Sequence, residues 1–247
     1  MNVTRDGDTF TAEEGGTVLG AARLAPGGGV VLELGETREG VALALLRAVN
    51  AARADADEVE QRPVSHGSVH LQTDDQNAVV QLVSRLVPRV FRSSGTVVSA
   101  PRNGWVTVYD EVIDREPHQL ARLGRELSNA SGLVVFTIGI EKGKVVHYIA
   151  LERGRTLDEY VSVPEFRGPL PPGDAIALRA NPTVVARLTG AQPGAIRSVA
   201  RTAASPDDLP PADLLLREIS LAIGLEGTHV RFDEARYLPG ALLVEHE

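Results

Sequence analysis

Cysteine is absent from this chain. Disulfides, thiolate zinc sites, iron–sulfur clusters and cysteine nucleophiles are thereby excluded. Lysine is almost absent: only Lys142 and Lys144 occur among 25 basic residues, and the rest are arginine. With the abundant Ala, Val, Gly and Pro, this matches a GC-rich bacterial coding bias and is not read as function. No run approaches the roughly 18 apolar residues that a membrane-spanning helix needs. Met1 to Phe10 is polar, carries Arg5, Asp6 and Asp8, and lacks the apolar stretch of a secretory signal. A cytoplasmic protein is therefore expected, with no membrane partner.

The 247 residues suffice for one large domain or two small ones. Hydrophobic residues make up 43% and charged residues 23%, an ordinary globular balance. The net charge of −8 argues against nucleic acid as a partner of the whole surface. Residues 1–63 read as a β-β-α segment packing on a core. Val18–Leu24 and Val30–Leu34 are strand-like around the turn Pro26-Gly27-Gly28-Gly29, and Thr37 is placed to cap a helix carrying Val41, Leu45, Ala48 and Val49. An acidic connection, Asp55 to Glu60, follows.

Residues 64–163 read as the core. Strands are expected near Ser68–Gln72, Thr96–Ala100, Trp105–Tyr109, Leu133–Ile140 and Val145–Leu151. One helix starts after Thr73-Asp74-Asp75 and ends near Pro88; another bears Leu120, Leu123, Gly124 and Leu127 and stops at Gly132. Asn103-Gly104 and Lys142-Gly143 mark hairpin turns. The order βαβ–βαβ is that of an α+β, ferredoxin-like, antiparallel-rich sheet, extended by extra strands and with helices on one face. Residues 164–247 read as a mainly helical C-terminal subdomain, with helices at Pro182–Leu188, Ala195–Arg201 and Asp213–Ile223 and short strands at His229–Phe232 and Leu242–Val244.

Few motifs carry chemistry. Ala186, Gly190 and Ile196 have the spacing of a helix-turn-helix unit, and residues 175–206 hold Arg179, Arg187, Arg197 and Arg201 with no acidic residue. Gly194 and Ala195 stand where a recognition helix usually offers polar side chains, so two packed helices around a glycine turn is the favoured reading. His66 and His70, with Asp74 and Asp75 nearby, lack a zinc-site spacing. His118 and His147 have no partner in sequence. Ser128, Ser131, His147 and Asp158 lack the elbow motif of a hydrolase nucleophile, and Gly27-Gly28-Gly29 precedes a strand rather than a helix, unlike a phosphate loop. Asp110, Glu111 and Asp114 lie at a strand's end before a helix, where carboxylates hold Mg²⁺ or cap the helix; capping is favoured.

Asn103-Gly104-Trp105-Val106-Thr107-Val108-Tyr109-Asp110-Glu111 and Asp158-Glu159-Tyr160-Val161-Ser162-Val163-Pro164-Glu165-Phe166 resemble an uncharacterised bacterial family with a GWxxVYDE stretch and a DxYxSxPx[FY] run. The resemblance spans about residues 64–166 and departs at Glu159 and Val161. It implies no activity, cofactor or site residue. The resulting expectation is a non-enzymatic module binding a protein or a small molecule, without a cofactor or metal. Its working surface is expected around Arg102, Trp105, Tyr109, Asp110, Glu111, Asp158 and Tyr160. The alternatives are a DNA-binding regulator acting through residues 183–201, with Arg187, Arg197 and Arg201 on nucleic acid, and a metal-dependent hydrolase using the strand-end carboxylates.

Overall fold

The computed structural model describes residues 2–6, 9–24, 30–34, 41, 45, 48–49 and 65–246. The chain divides into two compact units, Met1–Arg62 and Pro63–Glu247. Both are built on antiparallel sheets, and the protein is of mixed α and β structure. No helix among the described residues is long and apolar enough to cross a membrane.

The N-terminal unit has four strands in sequential order: β1 (Asn2–Asp6), β2 (Thr9–Glu14), β3 (Thr17–Leu24) and β4 (Val30–Leu34). The first, and the start of the second, fall in the polar stretch Met1 to Phe10, and neither strand is expected from sequence. Their signal is period-two alternation, since Phe10 and Ala12 are buried while their neighbours are half-exposed. Val41, Leu45 and Val49 are helical and join Phe10, Ala12 and Ala22 in one core. The turn at Pro26–Gly29, the Thr37 cap and the acidic connection lie outside the described residues.

The second unit is organised around a seven-stranded antiparallel sheet. In chain order its elements begin β5 (His66–Gln72), α1 (Gln76–Val90), β6 (Gly95–Val98), β7 (Trp105–Asp110), α2 (Glu111–Arg115), α3 (His118–Ser131) and β8 (Val134–Glu141). There follow β9 (Val145–Glu152), β10 (Arg155–Val161), α4 (Pro172–Ala177), α5 (Pro182–Thr189), α6 (Pro193–Val199), α7 (Ala212–Ile223), α8 (Phe232–Ala235) and β11 (Leu242–Glu245). In space the strands run β10-β9-β8-β5-β7-β6-β11. Hairpins fix much of this register. Asn103 and Gly104 both have positive φ, as a two-residue turn matching strand twist requires, and Arg102 and Trp105 exchange backbone hydrogen bonds of 2.8 and 2.9 Å across it.

Both faces of this sheet are covered. Val69, Leu71, Val106, Val108, Val135 and Leu151 lie beneath α1, α2 and α3. Trp105, Phe136, Ile138, Tyr148 and Tyr160 lie on the other face beneath α5, α6 and α7. Helices on one face and a mainly helical C-terminal subdomain were expected; the C-terminal helices cover the second face of the sheet. The expected strand at His229–Phe232 is a turn leading into α8, whose first turn is fastened by Glu234 accepting from the Arg231 amide at 3.2 Å.

The helix layer comes close to the sheet at Gly124. A Cβ there would overlap the γ-methyl of the buried Thr137 on β8. Gly124→Ala is expected to lose about 1–3 kcal/mol through overpacking, more than the roughly 1 kcal/mol gained in helix propensity. Urea titration of Gly124→Ala with and without Thr137→Ser, which removes the methyl, checks this. The expected result is partial recovery in the double variant.

Candidate functional site

Seven strands at about 4.8 Å spacing span about 29 Å, whereas two packed helices cover about 20 Å. α1 lies against β6 and β11, and α3 lies against β5, β8 and β9 and, to a lesser extent, β10. The outer part of β9–β10 on that face is therefore left to a loop, residues 163–170. Beneath this loop is a cavity of about 450 Å³. Its floor holds Thr137, His147, Ile149, Glu159 and Val161; Pro117, His118 and Ala121 of the α3 end form one wall. Strand register explains the floor: Thr137 pairs with Ile149, Ile149 with Glu159, and His147 with Val161. Alternation sends these side chains to one face.

The roof is tied down by named contacts. Arg167 donates Nε to Glu141 Oε1 at 2.9 Å and Nη2 to Oε2 at 2.7 Å, a two-point pairing that raises the guanidinium's pKa. Lys142 Nζ stands 5.8 Å from the centre of the Phe166 ring. Leu170 donates its amide to Glu165 at 3.1 Å, and Val161 donates its amide to the Leu178 carbonyl at 3.0 Å, closing the β10 edge.

Polar groups on the floor are unmet. Thr137 Oγ1 is buried and has no partner. Among the described residues, neither the His147 nor the half-buried Glu159 side chain makes a hydrogen bond or ion pair. Burial holds the His147 imidazole well below its ordinary pKa, at about 4, against the pull of Glu141. It is neutral at pH 7.

The strip expected from sequence is not one surface. Trp105 and Tyr160 are core residues in a row of rings across the sheet: Trp105–Phe136 at 5.7 Å, Phe136–Tyr148 at 5.9 Å and Tyr148–Tyr160 at 5.2 Å. Tyr160 donates to the Arg201 carbonyl at 2.7 Å, and Tyr109, also buried, donates to the Gly227 carbonyl at 3.0 Å. Asp158 accepts from Tyr148 at 2.7 Å and from the Asn181 amide at 3.1 Å. Asp110 caps α2 through the Val112 amide at 2.9 Å and accepts from Thr96 at 2.5 Å. Burial raises the pKa of both aspartates, offset by those hydrogen bonds. Glu111 accepts from the Ser94 amide at 2.7 Å, and Arg102 is exposed at the hairpin. β7 and β10 are four strand spacings apart, about 19 Å. Only Tyr160 of these seven borders the cavity.

No protein-family model, curated protein or solved structure matches this chain.

Of the other histidines, His66 is buried with both ring nitrogens unpartnered among the described residues, away from the cavity lining. His70 is fully buried between Ser68, with Nε2–Oγ at 2.8 Å, and Thr107, with Nδ1–Oγ1 at 3.0 Å. Asp75 caps α1, accepting from the Ala78 amide at 2.9 Å. Among the described residues, no group of three or more His, Asp or Glu is placed to hold a metal ion. Sequence reasoning missed the floor residues. Their signal was a lone Thr in the apolar run Val134–Ile140 and a lone His within Val145–Ala150.

Burial lowers the His70 pKa from 6.5 to about 3. The folded protein favours neutral His70, so its contribution is complete above pH 6.5 and is lost as pH falls toward 3. Denaturant titrations are expected to show stability falling by about 1.4 kcal/mol per pH unit from this residue across most of that window. His70→Gln is expected to flatten the slope.

Proposed function

We propose that this chain is a non-enzymatic ligand-binding module whose ligand occupies the cavity between α3, β9–β10 and the 163–170 loop. The observation that carries the proposal is a contrast. Buried polar side chains elsewhere in the unit are largely paired, the His66 ring excepted, whereas the His147 and Glu159 side chains line one cavity without hydrogen-bond or ion-pair partners among the described residues, next to the buried, unpartnered Thr137 hydroxyl. The volume lies in the range of small-molecule sites, which are mostly apolar with a few converging polar groups. The core is read as ferredoxin-like; the β-α-β-β-α-β order and the spatial order β8-β5-β7-β6 support that reading. A cytoplasmic setting and kinship with the uncharacterised bacterial family belong to the same proposal, and neither supplies a substrate.

Ala121→Trp, which fills the cavity from the α3 wall, tests it. A small-molecule screen by NMR is expected to yield compounds that shift β9–β10 resonances in the parent chain and not in the variant. A ligand at a hundred times its Kd is expected to raise unfolding free energy by about 2.7 kcal/mol. Equal binding to both chains removes the proposal.

A second reading is duplex DNA binding through residues 183–201. It is supported by α5 and α6 meeting at left-handed Gly190 and by Arg187, Arg197 and Arg201, all exposed and, among the described residues, outside any side-chain ion pair. α6 begins Pro193-Gly194-Ala195, so the contacts would be to phosphates. Fluorescence anisotropy is expected to show sequence-independent binding whose log–log salt slope loses about 0.9 per arginine replaced by alanine. No binding at low salt ends this reading.

A further inference from the structure

The cavity's charge pattern narrows its ligand, an inference that rests on the binding role proposed above. Two charged groups of opposite sign beside it, Arg167 and Glu141, already satisfy each other through a two-point pairing. Glu159 does not share in that pair. It is half-buried on the floor, level with Ile149, and no described residue bonds to its carboxylate. A carboxylate without a partner at the cavity floor is available to pair with an incoming cation. The neighbouring His147 accepts a hydrogen bond as well, since it presents a neutral imidazole on the floor. The surroundings are apolar: Ile149, Val161 and Val163, with the Phe166 ring in the roof. His118, on the wall, stands 3.6 Å from Glu116 and so has a carboxylate of its own.

We propose that the cavity takes a small amphipathic amine, its apolar body seated between Val161 and the roof loop and its protonated nitrogen paired with Glu159. An anionic ligand of the same shape meets Glu159 as a like charge and has no free cation within the cavity lining to replace it. His147 provides an acceptor for a remaining N–H group, which gives preference for a primary amine over a tertiary one.

Phenethylamine, phenethyl alcohol and phenylacetate share a ring and differ in the polar head. Titration of the full chain with each, followed by NMR at neutral pH, is expected to rank the amine first by about tenfold over the alcohol, with the acid weakest. Glu159→Gln is expected to remove the amine's advantage and leave the alcohol's affinity within about twofold. If the alcohol binds the parent chain but not Ala121→Trp, and the amine shows no advantage or keeps it in Glu159→Gln, the amine assignment is overturned while the cavity stands. If no probe binds, or all bind Ala121→Trp equally, both fall together.

Discussion

Every residue of β7 and nearly every residue of β5 and β8 is buried, so the central strands have no solvent face. A strand apolar on both sides requires cover on both sides, and the rest of the second unit follows from that requirement. α1, α2 and α3 supply one layer and the chain beyond residue 180 supplies the other. Burying a large apolar side chain contributes about 1.5–3 kcal/mol. α7 alone brings Leu215, Leu216, Ile219 and Ile223 onto the sheet at helical spacing. The aromatic row from Trp105 to Tyr160 ties β7, β8, β9 and β10 to this second layer.

The same constraint accounts for the cavity. A seven-stranded sheet is wider than the helix pair laid on it, and over β9–β10 the cover is a loop with two prolines, Pro164 and Pro169. A loop cannot fill a sheet surface as side chains from a helix do. Its conformation is set by a few bonds, chiefly Arg167 to Glu141. Space is left where packing ends, and the polar side chains of His147 and Glu159 are tolerated on that part of the floor because the cavity lies above them, while Thr137 packs beneath α3 at Gly124.

The buried polar groups divide into two kinds. Ser68–His70–Thr107 resembles a proton relay in composition, yet each member is sealed in the core and bonded to the next, so it serves the packing of the second layer. Tyr148–Asp158–Asn181 likewise fastens the start of α5 to the sheet edge. Thr137, His147 and Glu159 form the other kind, whose side chains lack protein partners among the described residues, a lack shared away from the cavity by the His66 ring.

Local rules made much of the architecture legible. Apolar alternation and Asn-Gly and Lys-Gly turns located the core strands, glycine at residue 132 located the end of α3, and acidic residues at strand ends were rightly favoured as caps in the case of Asp110. These features depend on neighbours a few residues apart, so one sequence contains them. β1 and β2 were missed because their few apolar residues, Phe10 and Ala12, matter only once a partner sheet exists. The strip from Arg102 to Tyr160 failed as a surface because aromatic and acidic residues near one another in sequence alternate between faces and across strands. Thr137, His147 and Glu159 come from three different strands, and their meeting depends on register. Whether they are paired or open depends on which segment lies above them. Short-range physics therefore determined the strands, helices and turns, while the second covering layer and the cavity were decided only by how wide the sheet is and how far its helices reach.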